Sequence, residues 1–347
     1  MVKTFPLIIL IFLYTISWLI KISNNKAILR RSNNNPILVA DQSNWWEAKA
    51  VFNCAILYDK NKNKVHMLYR AIGDYEDYIS RIGYASSNDG HTFNRRKEIA
   101  FGPSEDYERN GIEDPRLVEI GSKTYITYVV PSSYALGTPI VSSALATTSD
   151  YYEFKRLGII TSIGSDNKDV VLFPEKIKSL HREQKTSYFS LQRPSAWIGS
   201  AYGVYRPSMW LAEGSLLTKF ERYWPLLSPK EDWEILKVGA GVPPIKTKYG
   251  WLIIYHGVSY DRIYRVGAAL LDLREPIRVI GRTKRPILEP REPYEKYGDV
   301  NNVVFPTGAC IIDGEVFVYY GGADRVCCLA TVELTTLIEH ILQDSIY

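Results

Sequence analysis

From about residue 36 onward, short runs of β-branched and aromatic residues alternate with Gly, Asp, Asn and Pro. VHMLYRAI (65–72), KTYITYVV (123–130), TSYFSLQRP (186–194), GWLIIYHGV (250–258) and EVFVYYGG (315–322) each begin just after a turn and read as buried strands. Few stretches sustain a helical period. A second series keeps step with the first: RIGYASSNDGHTF, SSALATTSDYYEF, SMWLAEGSLLTKF, RVGAALLDLREPI and VCCLATVELTTLI align on Ala85, Ala146, Ala212, Ala269 and Ala330, at intervals of 61, 66, 57 and 61 residues. Five copies of one unit are implied, each with room for about four strands, which is the blade of a β-propeller. The pattern therefore predicts an all-β, five-bladed β-propeller over residues 36–342. A polar linker at 23–35 and an N-terminal hydrophobic helix within residues 1–22 are expected to precede it.

That N-terminal stretch carries FPLIILIFLYTISWLI (5–20), a charge-free run of 16 residues with no small-residue cleavage site behind it. Lys21, Lys26, Arg30 and Arg31 follow it and only Lys3 precedes it, so an uncleaved membrane anchor with the downstream domain on the cytoplasmic side is expected. A signal peptide, or an upstream start codon before a soluble cytoplasmic protein, accounts for the same run.

Composition narrows the function. The 25 tyrosines and 8 tryptophans of the 347 residues suit both β-strands and stacking on sugar faces. A net charge of +4 with acids and bases interspersed offers no basic stripe for nucleic acid, and leaves room for a small acidic ligand. Cys54, Cys310, Cys327 and Cys328 show no metal-ligand spacing, so reduced thiols and no metal site are expected.

In a propeller the strand ends converge on one axial channel, so polar residues at matching points of each repeat are the candidates. In blade order these are Asn53 and Arg70; Asp114 and Arg116; Lys168, Lys176 and Arg193; Lys237, His256 and Tyr264; and Asp324. GIEDPRL (111–117) sets two carboxylates side by side. Pro115 biases Asp114 toward an extended conformation, and neighbours on an extended segment point to opposite sides. One carboxylate then faces the axis while the other pairs with structure, through Arg116. A surface turn closed by a salt bridge explains the same residues.

GIEDPRL, together with VFNCAIL, MLYRA, KDVVLFPEKI, LQRP, KVGAGVPPI, IIYHGV, YRVGAALLD, VVFPTG and YYGGADRV, resembles glycoside hydrolase family 130, the β-mannoside phosphorylases and related β-mannosidases, in order over residues 36–340. The resemblance implies a five-bladed propeller, in agreement with the repeat count. It implies that Asp114 is the one protein acid, protonating the glycosidic oxygen by way of a mannose hydroxyl while inorganic phosphate attacks the anomeric carbon from the opposite face. It assigns phosphate to Lys168, Arg193, Lys237 and Tyr264, and mannose to Asn53, Arg70 and Asp324, with Phe305 as an apolar wall near the acceptor. Glu113 is left to hold the turn or a sugar hydroxyl, and His256 to the packed core or the sugar. Cys54 departs from the family's usual residue and reads as a small packed thiol.

The activity implied is inverting phosphorolysis of β-mannosides, whether manno-oligosaccharide or mannosyl-N-acetylglucosamine, with phosphate as co-substrate and no cofactor. An inverting β-mannosidase on the same fold and a non-catalytic glycan-binding propeller are the alternatives; self-association is left open. Acceptor choice is expected to depend on the loops DYEDYIS (74–80) and IKSLHREQKT (177–186).

Overall fold

The chain closes on itself through its ends. In the computed structural model, which describes residues 28–135, 138–162 and 166–346, strand β1 (Arg30–Arg31) pairs antiparallel with a strand 300 residues later, Arg30 opposite Thr331 and Arg31 opposite Ala330. Between them the chain forms five antiparallel sheets in sequence order. Blade 1 is β2 (Ala50–Asp59), β3 (Lys64–Ile72), β4 (Ser80–Ser87) and β5 (Asn94–Arg95). Blade 2 is β6 (Glu113–Ile120), β7 (Lys123–Ala135), β8 (Thr138–Thr148) and β9 (Lys155–Ile159). Blade 3 is β10 (Asn167–Leu172), β12 (Thr186–Pro194), β13 (Met209–Gly214) and β14 (Arg222–Leu227), with β11 (Ile177–Lys178) beside β12. Blade 4 is β15 (Lys237–Ala240), β17 (Gly250–Val258), β18 (Tyr264–Leu271) and β19 (Val279–Arg282), with β16 (Ile245–Thr247) beside β17. Blade 5 is β20 (Val304–Ile312), β21 (Glu315–Gly322) and β22 (Val326–Glu333), and β1 supplies its outer strand.

The five-bladed reading of the sequence holds. The marker alanines fall on the third strand of every blade, opposite Met67, Ile126, Ser190, Ile253 and Val318, and all five are fully buried. The core lies in layers between adjacent blades, so a blade is apolar on both faces: Met67 and Tyr69 pack toward blade 5 while Leu68 packs toward blade 2. That is why the strands read as continuous apolar runs.

The strands that carried the sixty-residue rhythm are the second of each blade; the axis is lined by β2, β6, β10, β15 and β20, which pack on one another. The stretch 23–35 is not wholly a linker, because Leu29 is buried and β1 completes blade 5. Arg31 repeats a device used around the ring. Four connector glutamates, Glu47, Glu108, Glu234 and Glu295, are fully buried, and each accepts a hydrogen bond from a second-strand tyrosine: Tyr69, Tyr128, Tyr255 and Tyr320, at 2.7–2.9 Å. Each also pairs with an outer-strand arginine: Arg95, Arg156, Arg282 and, in blade 5, Arg31 at 2.7 Å.

Helix α1 (Pro293–Lys296) precedes blade 5, and α2 (Leu334–Ile346) buries Leu337, Ile338 and Ile341 against blades 4 and 5. The apolar run at 5–20 lies outside the described residues. Among those described, no helix is long and apolar enough to cross a membrane. The four cysteines are buried and unpaired, Cys54 within the layer between blades 5 and 1.

Candidate active site

The axial strands do not run straight. In β2, β6, β10 and β20 the register slips by one residue at matching points. In the first three of these strands the extra residue is Asn53, Asp114 or Asp169, with φ of 49°, 46° and 59°. Asn and Asp are the residues that tolerate this left-handed backbone, and a bulge re-aims side chains out of the pleat. The expected alternation at GIEDPRL is therefore broken. Asp114 is not extended, and Glu113 and Asp114 both face the same cavity, of about 150 Å³.

At matching points of the five blades, one second-strand position lies across from the axial strand: Arg70 opposite Phe52, Val129 opposite Glu113, Arg193 opposite Lys168, His256 opposite Gly239 and Gly321 opposite Phe305. The glycines here are dictated by packing. A Cβ on Gly321 would lie 2.1 Å from Asn53 Oδ1, and one on Gly239 would lie 2.3 Å from Asp169 Oδ2.

Eleven of the thirteen site candidates read from the sequence line this cavity: Asn53, Arg70, Glu113, Asp114, Lys168, Arg193, Lys237, His256, Tyr264, Phe305 and Asp324. Lys176 does not, being exposed at the far end of blade 3 over the Tyr188 ring. The loop at 177–186 lies at that far end too, because β12 runs from it toward Arg193. Arg116 pairs with neither carboxylate of its motif; its guanidinium donates to the carbonyls of Asp114, Pro115 and Gly241.

The cavity is divided electrically. On the side of blades 5, 1 and 2, Arg70 gathers the carboxyls: it donates through Nη2 to Glu113 Oε1 at 2.7 Å and through Nη1 to Asp114 Oδ1 at 3.2 Å, while Ser80 Oγ accepts from its Nε at 2.8 Å. Asn53 Nδ2 donates to the same Asp114 oxygen at 2.8 Å. Burial raises the Glu113 pKa, and Asp114 adds to the rise against the pull of Arg70. Asp324, at a left-handed turn after β21, is pushed up to about 7 by burial and by the neighbouring Asp114, Asp299 and Glu113.

On the side of blades 3 and 4 the balance is inverted. Asp169 accepts from Arg193 Nε at 2.6 Å and lies 3.6 Å from His256 Nε2. Burial alone would raise its pKa, but the Arg193, Lys168 and Arg116 charges hold the carboxyl well below the usual range. Lys237 donates to Tyr264 Oη at 2.9 Å and is pushed down to about 7 by burial and by Arg193 and Lys168. Burial likewise pushes His256 down to about 3, so its imidazole is neutral. Phe305 stands between the two sides, its ring 4.7 Å from His256 and 5.6 Å from the Arg116 guanidinium.

Asp169 was missed in the sequence, although the repeat contains it: K-D in KDVVLF takes the place of E-D in EDPRLV. Val129, Val300 and Val303 complete the lining and carry no polar signal.

This arrangement can do two things at once. Three cations around one carboxylate leave a positive excess suited to a small dianion, and three carboxyls around one cation supply a proton-bearing face. Of the carboxylates that line the cavity, Asp169 is the one on the cationic side, and it is held in an ion pair with Arg193.

Comparison with known proteins agrees. The family model described as beta-1,4-mannooligosaccharide phosphorylase matches residues 22–343. A 1,2-beta-oligomannan phosphorylase of Thermoanaerobacter sp. (strain X514) is 38% identical over 317 residues, 88% of this chain and 97% of that protein. A beta-1,2-mannobiose phosphorylase of the same organism is 35% identical over 318 residues, with the same shares covered. The structure of the beta-1,2-mannobiose phosphorylase of Listeria innocua, solved with beta-1,2-mannobiose, superposes with a TM-score of 0.77 at 29% identity, covering 90% of this chain and 99% of that one. Matched along nearly its whole described length in sequence and in fold, the chain belongs to glycoside hydrolase family 130.

Proposed function

We propose that this enzyme cleaves β-1,2-linked manno-oligosaccharides with inorganic phosphate, releasing α-mannose 1-phosphate and a shortened acceptor. The phosphorolytic reading of the sequence stands, and the linkage is taken from the relatives at 38% and 35% identity. The observation that carries the reaction is the division of charge across the axis: carboxyls from blades 2 and 5, gathered around Arg70 of blade 1, face cations from blades 3 and 4.

Phosphate lies on Lys168, Arg193 and Lys237 with the Tyr264 hydroxyl, and one oxygen attacks the anomeric carbon. The glycosidic C–O bond breaks as Asp114 delivers a proton to the departing oxygen. The proton carried by the phosphate then restores Asp114. Inverting hydrolysis needs two carboxylates flanking the sugar, one of them beside a water. Glu113 and Asp114 instead share one guanidinium and sit on one side. Asn53, Arg70 and Asp324 hold the mannose. The apolar run at 5–20, with its downstream positive charges, supports anchoring at a membrane; fractionation with and without residues 1–22 tests that assignment.

The test of the reaction is a phosphate titration with β-1,2-mannobiose. Mannose 1-phosphate is expected in proportion to phosphate consumed, with no turnover in phosphate-free buffer. Equal release of free mannose without phosphate would establish the hydrolase instead, and sugar binding without turnover the binding module.

A further inference from the structure

The rim of the cavity includes the β3–β4, β12–β13 and β17–β18 loops and the segment 297–303, and two pairs stand among its exposed aromatic rings. Tyr205 and Tyr260 flank Arg206 beside blades 3 and 4, the cationic side. Tyr75 and Tyr78, 42% and 40% exposed, stand on the β3–β4 loop beside blade 1, the side of the carboxyls. In the reaction proposed above, on which this inference rests, the leaving sugar departs on the side of the acid and phosphate enters from the other. The acceptor must therefore pass Tyr78 and Tyr75.

Three features mark this pair as a built surface. Their rings stack with centroids 6.2 Å apart and planes at 24°, a step on the scale of one sugar unit. Tyr75 Oη donates to Asp299 Oδ1 at 2.8 Å, and Lys49 Nζ lies 5.9 Å from the ring centre, so the ring is braced against the segment that lines the cavity through Val300 and Val303. Tyr78 holds φ of 51°, a left-handed conformation uncommon for a bulky residue, so the loop fixes where its ring stands. The Tyr78 hydroxyl stands within electrostatic reach of Arg70, Asp324 and Glu113, whereas the charges that reach Tyr75 are Asp299 and Arg325, which makes Tyr75 the outer ring of the two.

We propose that Tyr75, stacked on Tyr78 and braced by Asp299, is an outer acceptor subsite that takes the face of a second pyranose of the leaving chain, and so favours oligosaccharides of three or more mannose units over mannobiose. An aromatic face on a sugar ring is the contact that suits this exposed, pre-braced geometry.

The test compares β-1,2-mannobiose and β-1,2-mannotriose as substrates of wild type, Tyr75→Ala and Tyr75→Leu. The leucine variant keeps apolar volume where the alanine variant fails to fold. Removing the ring is expected to lower kcat/KM for the trisaccharide about tenfold while that for the disaccharide and the KM for phosphate stay within about twofold. Equal losses on both sugars, or no loss on either, would overturn the subsite. If wild type releases no mannose 1-phosphate, the reaction proposed above fails on its own account. Calorimetric binding of mannotriose to wild type and Tyr75→Leu then decides the subsite: about tenfold weaker binding supports it, and unchanged binding refutes it.

Discussion

The Arg193 guanidinium donates to Asp169 Oδ2 at 2.6 Å, and that same oxygen stands 3.6 Å from His256 Nε2. Arg193 is thus held at the cavity wall in a fixed direction, with Nη1 also donating to Ser195 Oγ at 3.4 Å, and the anion beside it keeps a dense group of cations from repelling itself apart. Asp169 acts through Arg193, as a positioning residue. Asp169→Asn keeps the shape and removes the charge. The expected result is a rise in KM for phosphate of about ten- to hundredfold, the scale of one charged hydrogen bond, with the KM for mannoside changed only a few-fold. Steady-state kinetics with each substrate varied in turn checks this; equal rises in both would reduce Asp169 to general packing.

Glu113 and Asp114 share Arg70, so geometry alone leaves two carboxyls at the scissile bond. The bulge distinguishes them, since Asp114 is the displaced residue and also receives Asn53. Asp114→Asn is expected to lower kcat by about 10²–10⁴, the usual contribution of a general acid, and to leave mannotriose binding within a few-fold. Glu113→Gln keeps an acceptor for Arg70 and is expected to lower kcat far less. A reversal of that order in single-turnover rates would transfer the role to Glu113.

Lys237 gives the site a pH dependence whose sign can be worked out. Its folded pKa of about 7 lies below the ordinary 10.5, so in the empty enzyme the ammonium loses its proton as pH rises through 7. Phosphate then meets one cation fewer, and KM for phosphate is expected to climb between pH 7 and 9. Lys237→Arg stays charged through that range and should flatten the climb. The stability of the empty enzyme moves the other way. The unfolded chain binds more protons between about 7 and 10.5, so this group makes folding more favourable as pH rises across that window. Thermal melts of wild type and Lys237→Arg, with and without phosphate, measure both effects.

Much of this could be read before the fold was known, and the reason is the repeat. Five marker alanines at near-equal intervals are a consequence of blades buried on both faces, and they announce the propeller directly. The polar site residues were legible because they interrupt apolar runs at matching points. What stayed hidden needed a third dimension. Strand alternation separates Glu113 from Asp114 on paper, and a one-residue slip in β6 rejoins them. The partner of Arg70 lies 43 residues away in sequence, in the next blade, so no local pattern could prefer it to Arg116. The loop at 177–186 looked long enough to serve the acceptor, yet strand direction sends it to the opposite end.

The closure of the ring was least legible, because β1 is two residues long and sits in a polar stretch. Its significance lies in Arg31, which meets Glu295 and through it Tyr320, as Arg95, Arg156 and Arg282 meet their own buried glutamates. Removing one partner of a buried ion pair leaves an uncompensated charge. Arg31→Met is therefore expected to cost about 3–5 kcal/mol of unfolding free energy, read from urea denaturation, with kcat unchanged at low temperature. Glu295→Gln should likewise destabilise. The double variant should lose less than the sum of the two, because once the arginine is gone the neutral glutamine is easier to bury than the carboxylate. Additive losses would mean that Arg31 acts through the pairing of β1 with β22 alone, and that the four-fold Glu–Tyr–Arg repetition contributes shape rather than charge.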